Sequence, residues 1–291
     1  MPKPKTPEEL AEEFSREFAM GMEAGNGMPV PVEVRELLEV AFGEGRVVEG
    51  LFTQGHAVQT EGVISTGAGE SNLLYGELVP EGVSKALAAL GAAEAAFSGT
   101  VLELGMGTGK MALQVFLQCP GARQVVGVEI SPSRYDVAVA AADKLASACT
   151  ARFASWAADA DGIAAFLPGA AQSEPSCVRA HVLEERSSGR RLWLLEGDVS
   201  IVACDGGPVE DAKAILLNVR MPADARRRTF RTLQRAPDGC KVFMLENLTW
   251  EWMLPEPSVL HAIGDGVILG DGTDNFITSW HPKGYPFNLF E

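Results

Sequence analysis

The sequence contains no continuous apolar stretch long enough to cross a bilayer, which excludes a membrane-spanning role and predicts no membrane partner. Its amino terminus, Met1-Pro2-Lys3-Pro4-Lys5, runs straight into acidic residues. It lacks the apolar core and small-residue cleavage site of a secretory signal, so the chain is expected to stay inside the cell. The five cysteines, Cys119, Cys149, Cys177, Cys204 and Cys240, form no C-x-x-C pair, so neither a disulfide framework nor a zinc site is supported and no metal is expected. The four histidines, His56, His181, His261 and His281, share no motif. Neither G-x-S-x-G nor H-E-x-x-H occurs, which removes the common hydrolase and metalloprotease signatures. Positive charge is scarce as well: 24 Lys and Arg face 39 Asp and Glu. That balance disfavours long-range attraction to bare nucleic acid and favours a basic partner.

What is present is a chain long enough, at 291 residues, for a main α/β domain with a smaller companion. Thr6, Pro7 and Glu9 make a helix-opening capping box, and Leu10, Phe14, Phe18 and Met22 recur every four residues behind it. After the Gly25-Asn26-Gly27 turn, residues 31–42 read as a second helix with Val34, Leu37, Leu38 and Ala41 on one face. Residues 46–68 read as short, glycine-rich β-like pieces and 66–72 as an exposed loop. These features divide the chain into a mainly helical N-terminal unit, 1–72, and a larger unit, 73–291. In the larger unit, a helix over 78–96 precedes alternating strands and helices at 101–104, 110–118, 125–129 and 132–146, the pattern of βαβ units on a parallel sheet. Residues 150–191 read as an insertion with some helix. Strands are predicted at 192–195, 201–203, 214–218 and 241–245, with a helix over 223–235. The tail reads as antiparallel strands at 259–263, 267–269 and 275–280.

The segment Glu103-Leu104-Gly105-Met106-Gly107-Thr108-Gly109 follows a short apolar strand and opens a helix, the context a glycine-rich ligand loop requires. Its spacing is G-x-G-x-G, whereas a dinucleotide fingerprint is G-x-G-x-x-G with the helix start aimed at a pyrophosphate. Glu103 at the strand end would repel a pyrophosphate but suits an amino group and a nearby sulfonium. The arrangement therefore favours S-adenosylmethionine, with S-adenosylhomocysteine as product. Glu129 closes the next strand, where an acidic side chain can accept both ribose hydroxyls, and Asp198 with Val199 follows a later strand where an adenine would lie. The fold expected is α/β: a Rossmann-like sheet of the class I methyltransferase kind with a small, mainly helical N-terminal domain.

Three segments resemble the histone H3 lysine methyltransferases named for disruption of telomeric silencing, Rossmann-type enzymes without a SET domain. Leu74-Tyr75-Gly76-Glu77-Leu78-Val79-Pro80 is similar to that family's Tyr-Gly-Glu loop. Residues 103–109 with Met111-Ala112-Leu113-Gln114-Val115 are similar to its first cofactor motif, and Gly127-Val128-Glu129 with Arg134-Tyr135 to its second strand and following helix. Ile215-Leu216-Leu217-Asn218 is similar to the strand ending in the family's Asn-Asn-Phe, with Val219 and Arg220 replacing its last two residues. Leu245-Glu246-Asn247-Leu248 replaces the usual Ser-Lys-Pro-Phe, and Lys110 stands where a cofactor-touching glutamine is frequent. The chain's size is like that of the short kinetoplastid members.

The resemblance implies a nuclear enzyme that methylates a lysine of histone H3 in nucleosomes. Its cofactor would be held by Tyr75, Glu77, Glu103, Gly105, Gly107, Gly109, Lys110, Glu129, Asp198, Val199 and Asn218, with Asn218 and Tyr75 at the reacting centre. Phe276 stands where the resemblance would place an aromatic wall, but the reading favoured for it is an ordinary core residue. Arg226, Arg227, Arg228, Arg231 and Arg235 crowd one helix of an acidic chain, either as a solvated face or as a contact to DNA phosphates or an acidic histone surface. Cofactor motifs do not encode the acceptor. A methyltransferase for another protein or a small molecule, and a non-catalytic cofactor-binding module, stay open.

Overall fold

The computed structural model describes residues 5–43, 76–168, 179–219, 223–245 and 275–290. The capping box forms as expected: Glu9 N donates to Thr6 Oγ1 at 3.2 Å and Thr6 N to Glu9 Oε2 at 2.7 Å, opening α1, Pro7–Glu23. A second helix, α2 (Val32–Phe42), buries Val34, Leu38, Ala41 and Phe42 in the apolar cluster that also covers one face of the sheet. The expected helix over 78–96 is shorter, α3 (Pro80–Ala89). Pro80 fixes its start, Leu78 is instead bridged to Thr278, and Gly91, with φ of 68°, follows its end.

Strands β1 (Gly99–Leu104), β2 (Ala122–Glu129), β5 (Arg190–Glu196), β6 (Ala212–Leu217) and β7 (Lys241–Met244) form a parallel core. Around it, β3 (Phe153–Ala157), β4 (Arg179–Glu185) and β10 (Asn288–Phe290) run antiparallel at the margins, giving the order β10-β7-β6-β1-β2-β5-β4-β3. The central strands are near-continuous apolar runs because both faces are covered. Val101, Val125, Leu194 and Leu216 point into the cluster with α2, α4 (Lys110–Gln118) and α5 (Pro132–Ala148). Leu102, Val126, Trp193 and Ile215 point into the opposite one, which also holds Leu233 of α7 (Ala223–Leu233). This is the Rossmann-like α/β architecture expected. The chain leaves β1 for β2 on one side and returns to pair β6 on the other, so the switch point, and with it the ligand crevice, falls at the carboxyl end of β1.

Residues 150–191 are more than an insertion: they supply β3, α6 (Ala160–Phe166) and β4, the antiparallel margin of the sheet. The expected strand over 201–203 is instead a 3-10 turn, Val199–Ala203, because Asp198 Oδ1 captures the Ser200 N–H at 2.9 Å and redirects the backbone. In the tail, only β8 (Asn275–Phe276) of the expected 275–280 strand forms, paired antiparallel with β9 (Tyr285–Pro286). The pieces expected at 46–68, 259–263 and 267–269, and the division at 72–73, lie outside the described residues. Among the described residues, no helix is long and apolar enough to cross a membrane.

Candidate active site

The glycine loop turns at the carboxyl end of β1 with three left-handed residues, Gly105 (φ 80°), Gly107 (φ 57°) and Gly109 (φ 77°). Gly105 N and Met106 N both donate to Val128 O, at 2.8 and 2.9 Å, which folds the loop back over the end of β2. A Cβ at Gly105 would lie 2.4 Å from Val219 Cγ1, and one at Gly109 2.7 Å from Ala138 Cβ. Gly105→Ala is accordingly expected to cost about 2 kcal/mol or more through the left-handed penalty and this overlap. Urea unfolding of the purified variant tests it, and a wild-type midpoint would show that the loop adapts.

One cleft is lined by Gly76, Glu77, Glu103, Gly105, Met106, Gly107, Lys110, Glu129, Arg134, Asn218 and Val219. It is narrow, with about 40 Å³ of room. Glu77 holds it together: Thr108 Oγ1 donates to Glu77 Oε1 and Lys110 Nζ to Glu77 Oε2, each at 2.9 Å, and Glu77 N donates to Ser279 Oγ at 3.0 Å. Glu129 Oε2 accepts Gly107 N at 2.7 Å and Glu129 Oε1 accepts Ser131 N at 2.8 Å. Burial raises the Glu129 pKa, opposed by the Ser131 amide and the charge of Arg134.

Glu103, 3% exposed, is in a different position, since its Oε2 has no hydrogen-bond partner among the described residues. Burial pushes its pKa well above the ordinary carboxylate range; the Ala112 backbone N–H opposes this, and the carboxylates of Glu129 and Glu77 add to it. Asn218, just past β6, donates from Nδ2 to Gly76 O at 3.4 Å, and its buried Oδ1 likewise has no donor among the described residues. Two buried acceptors without donors thus line a single cleft, which calls for a cationic or N–H-bearing ligand.

Of the residues singled out from the sequence, Glu77, Glu103, Gly105, Gly107, Lys110, Glu129 and Asn218 meet in this cleft. Gly109 stands behind it, as the N-cap of α4. Asp198 and Val199 are not among the lining residues. Asp198 caps the 3-10 turn through Ser200 and pairs with Arg228 Nε at 3.4 Å, so its carboxylate is committed elsewhere. Tyr75 and Arg220 lie outside the described residues. Phe276 is a core residue, 3% exposed, packed edge-on against Phe243 and Phe287. Arg134 and Thr108 were not singled out for the site. Arg134, one helical turn past the strand end, supplies the positive charge opposite Glu129, and Thr108, inside the glycine loop, fixes Glu77. The Cys119 and Cys240 thiols, pushed up to about 12 by burial, stay protonated at neutral pH and take no part.

No protein-family model and no curated protein matches the chain. Among solved structures, it is similar to Trm1 from Pyrococcus horikoshii in complex with S-adenosyl-L-methionine, at 12% identity and a TM-score of 0.35 over 56% of this chain and 35% of that one. It is similar to coclaurine N-methyltransferase bound to N-methylheliamine and SAH at 12% identity and a TM-score of 0.33, over 82% of this chain and 60% of that one. The cyclase SpnF is similar at 13% identity and a TM-score of 0.34, over 75% of this chain and 61% of that one. The chain therefore spans about a third to three fifths of the length of these structures.

Proposed function

We propose that the chain is an S-adenosylmethionine-dependent methyltransferase acting on a lysine of histone H3 in the nucleosome. The observation that carries the cofactor is the pair of buried acceptors, Glu103 Oε2 and Asn218 Oδ1, that have no donor among the described residues and line one cleft beside the left-handed glycine turn. S-adenosylmethionine bears an ammonium and a sulfonium, and a buried carboxylate with a bare oxygen is complementary to both. The same cleft, lined by Glu77, Glu103 and Glu129, opposes a pyrophosphate. Each Glu129 oxygen already accepts one backbone N–H and keeps a further lone pair for a ribose hydroxyl. Ligand pockets start at roughly 300 Å³, so the cleft has to widen when the cofactor enters.

When bound, the cofactor supplies an electrophilic methyl group. The chain then needs to align an amine with it and keep that amine neutral, and a free lysine, with a pKa near about 10.4, is protonated at pH 7 unless desolvated. Asn218 is placed to orient the amine or the methionine moiety through its amide. Support for the lysine acceptor comes from the resemblance, whose segments converge here: Glu77 is bonded to Thr108 and Lys110, and Glu129 to Gly107. The full chain, incubated with methyl-labelled cofactor, is offered nucleosomes, free histones and a metabolite pool. Label on nucleosomal histone H3 is the expected result. Label only on another protein or on a metabolite overturns the acceptor, and cofactor binding without transfer to any pool leaves a binding module. A nucleosomal acceptor places the protein in the nucleus, which imaging of the tagged chain checks.

Arg226, Arg227 and Arg228 on α7 are the proposed contact to nucleosomal DNA or an acidic histone surface. Arg227 and Arg231 are exposed one turn apart, whereas Arg228 is held by Asp198. Replacing Arg226, Arg227 and Arg228 together with Ala is expected to weaken nucleosome binding and to flatten its salt dependence by about one slope unit for each phosphate that is no longer neutralised. Binding that is unchanged across a salt series would leave these arginines as a solvated helix face.

A further inference from the structure

Towards the amino-terminal ends of the parallel strands, opposite the glycine turn, sheet register sets two side-chain rows beside each other. Gln124, Arg191, Glu184 and Ala154 are cross-strand partners in one row, and Val126, Trp193, Val182 and Trp156 in the next. Residues paired in register share a face, and rows two residues apart are separated by roughly 6.8 Å. Phe166 of α6 stacks on Trp193 with ring centroids 3.9 Å apart and planes within 1°. Trp156, on the edge strand β3, is left 39% exposed, with the Arg191 guanidinium 6.0 Å from its ring centroid. Trp156, Phe166, Trp193 and Asp159 line an open groove of about 350 Å³. A second groove of about 350 Å³, lined by Arg123, Arg190 and Asp211, shares Gln124 and Arg191 with the first.

We propose that the joined grooves bind a nucleoside phosphate, with the base against Trp156 and the Phe166–Trp193 stack and the phosphate against Arg123 and Arg191. An exposed indole is a stacking platform for any planar heterocycle. Arg123 is exposed and has no ion pair among the described residues. Arg191 gives its Nε to Glu184 Oε2 at 2.8 Å, which leaves both terminal nitrogens to grip a phosphate. Arg190 is committed to the Ala122 and Phe116 carbonyls and to Glu185, and supports the wall. The register sets Arg191 one row, roughly 6.8 Å, from the aromatic residues, on the side where the phosphate of a stacked nucleotide would lie. Gln124, with no side-chain partner among the described residues, offers an amide at the base edge. Glu184, Asp211 and a net charge of -15 oppose a long polyanion, so the favoured ligand is a free mononucleotide.

The test is calorimetry on the full chain, with S-adenosylhomocysteine present throughout to block the glycine-turn cleft. The chain is titrated with AMP, UMP, inorganic phosphate and a short oligouridylate. Both nucleotides are expected to bind at least tenfold more tightly than phosphate. Trp156→Ala and the double variant Arg123→Ala with Arg191→Ala should each weaken them tenfold or more, while Trp156→Phe keeps most of the affinity. An oligouridylate that binds more than tenfold tighter than UMP, with the same variant pattern, identifies a single strand as the source of the nucleotide; comparable affinities identify the free one. Absence of binding, phosphate binding as tightly as AMP, or nucleotide affinity untouched in a correctly folded Trp156→Ala overturns the proposal. Loss mapped to these residues does not depend on what the glycine-turn cleft binds, so the two readings fail separately.

Discussion

Asn218→Ala is expected to lower methyl-transfer turnover by on the order of 100-fold while leaving the fold intact. The residue sits at the carboxyl end of β6, beside β1, and its amide works in two directions. Nδ2 donates to Gly76 O at 3.4 Å, holding the segment that carries Glu77, while Oδ1 is buried in the cleft wall without a donor among the described residues. Ala removes the tether and the acceptor together. The cost in stability is small, because the lost hydrogen bond is long and an unsatisfied buried acceptor disappears with it. Unfolding should therefore shift by no more than about 1 kcal/mol, and the loss should fall on turnover. Asn218→Asp separates the two directions, since it keeps an acceptor, loses the donor and adds a charge beside Glu103. Steady-state kinetics and urea unfolding on the same preparations decide the matter. Near-normal turnover of Asn218→Ala would remove the residue from the reaction.

The parts of this molecule legible in the sequence are those whose physics is local. The capping box at Thr6 and Glu9, the apolar runs of β1 and β2 and the glycine loop each carry their cause within a few residues. What was not legible depends on pairing register and on side-chain hydrogen bonds, which residue pattern does not encode even at short range. Residues 184–191 fall in the stretch that reads as an insertion with some helix, yet they form the inner ends and turn of the β4–β5 hairpin. There Arg191 Nε bonds Glu184 at 2.8 Å and Arg190 pairs with Glu185, across a turn at left-handed Gly189. A window of sequence contains both charges but not their register. The apolar triplet at 201–203 reads as strand because periodicity cannot see the Asp198 carboxylate taking the Ser200 N–H. That bond also explains why Asp198 is absent from the cleft: one carboxylate cannot cap this turn, pair with Arg228 and reach a ligand as well.

The site itself divides in the same way. Glu103 and Glu129 were readable as strand-terminal carboxylates, because the carboxyl ends of adjacent parallel strands open on one crevice. Their states were not. Glu129 is satisfied by the Gly107 and Ser131 amides and answered by Arg134, whereas Glu103 has a bare oxygen. Lys110, singled out as a departure from the family pattern, is in fact a clamp on Glu77 and ties the upstream segment to the start of α4. Phe276 shows the limit of analogy. An aromatic residue on a late strand matches a channel wall in sequence, but here its ring packs edge-on against Phe243 and Phe287, which stack on each other in the core.

Glu103→Gln is expected to raise the dissociation constant for S-adenosylmethionine about 10- to 100-fold and to remove most of the pH dependence of its binding. In the free protein, burial, with the Glu129 and Glu77 carboxylates nearby, holds the Glu103 pKa well above its ordinary value. A carboxyl whose pKa is raised by folding contributes stability below its unfolded pKa and loses that contribution as pH rises through the folded one. A cation in the cleft reverses the preference and stabilises the carboxylate, so binding must expel a proton from the population that holds one. Affinity should therefore climb as pH rises towards the raised pKa and level off above it. Gln reproduces the shape and neutrality of the protonated acid. The variant should fold as well as the wild type, and better at alkaline pH, yet it lacks the charge that the ammonium and sulfonium require. Calorimetry in two buffers of different ionisation enthalpy counts the protons released. Glu129, its pKa also raised by burial, contributes to both proteins, so the difference between them belongs to Glu103. An unchanged dissociation constant together with an unchanged proton count would mean that the bare oxygen of Glu103 does not face the cofactor's charge.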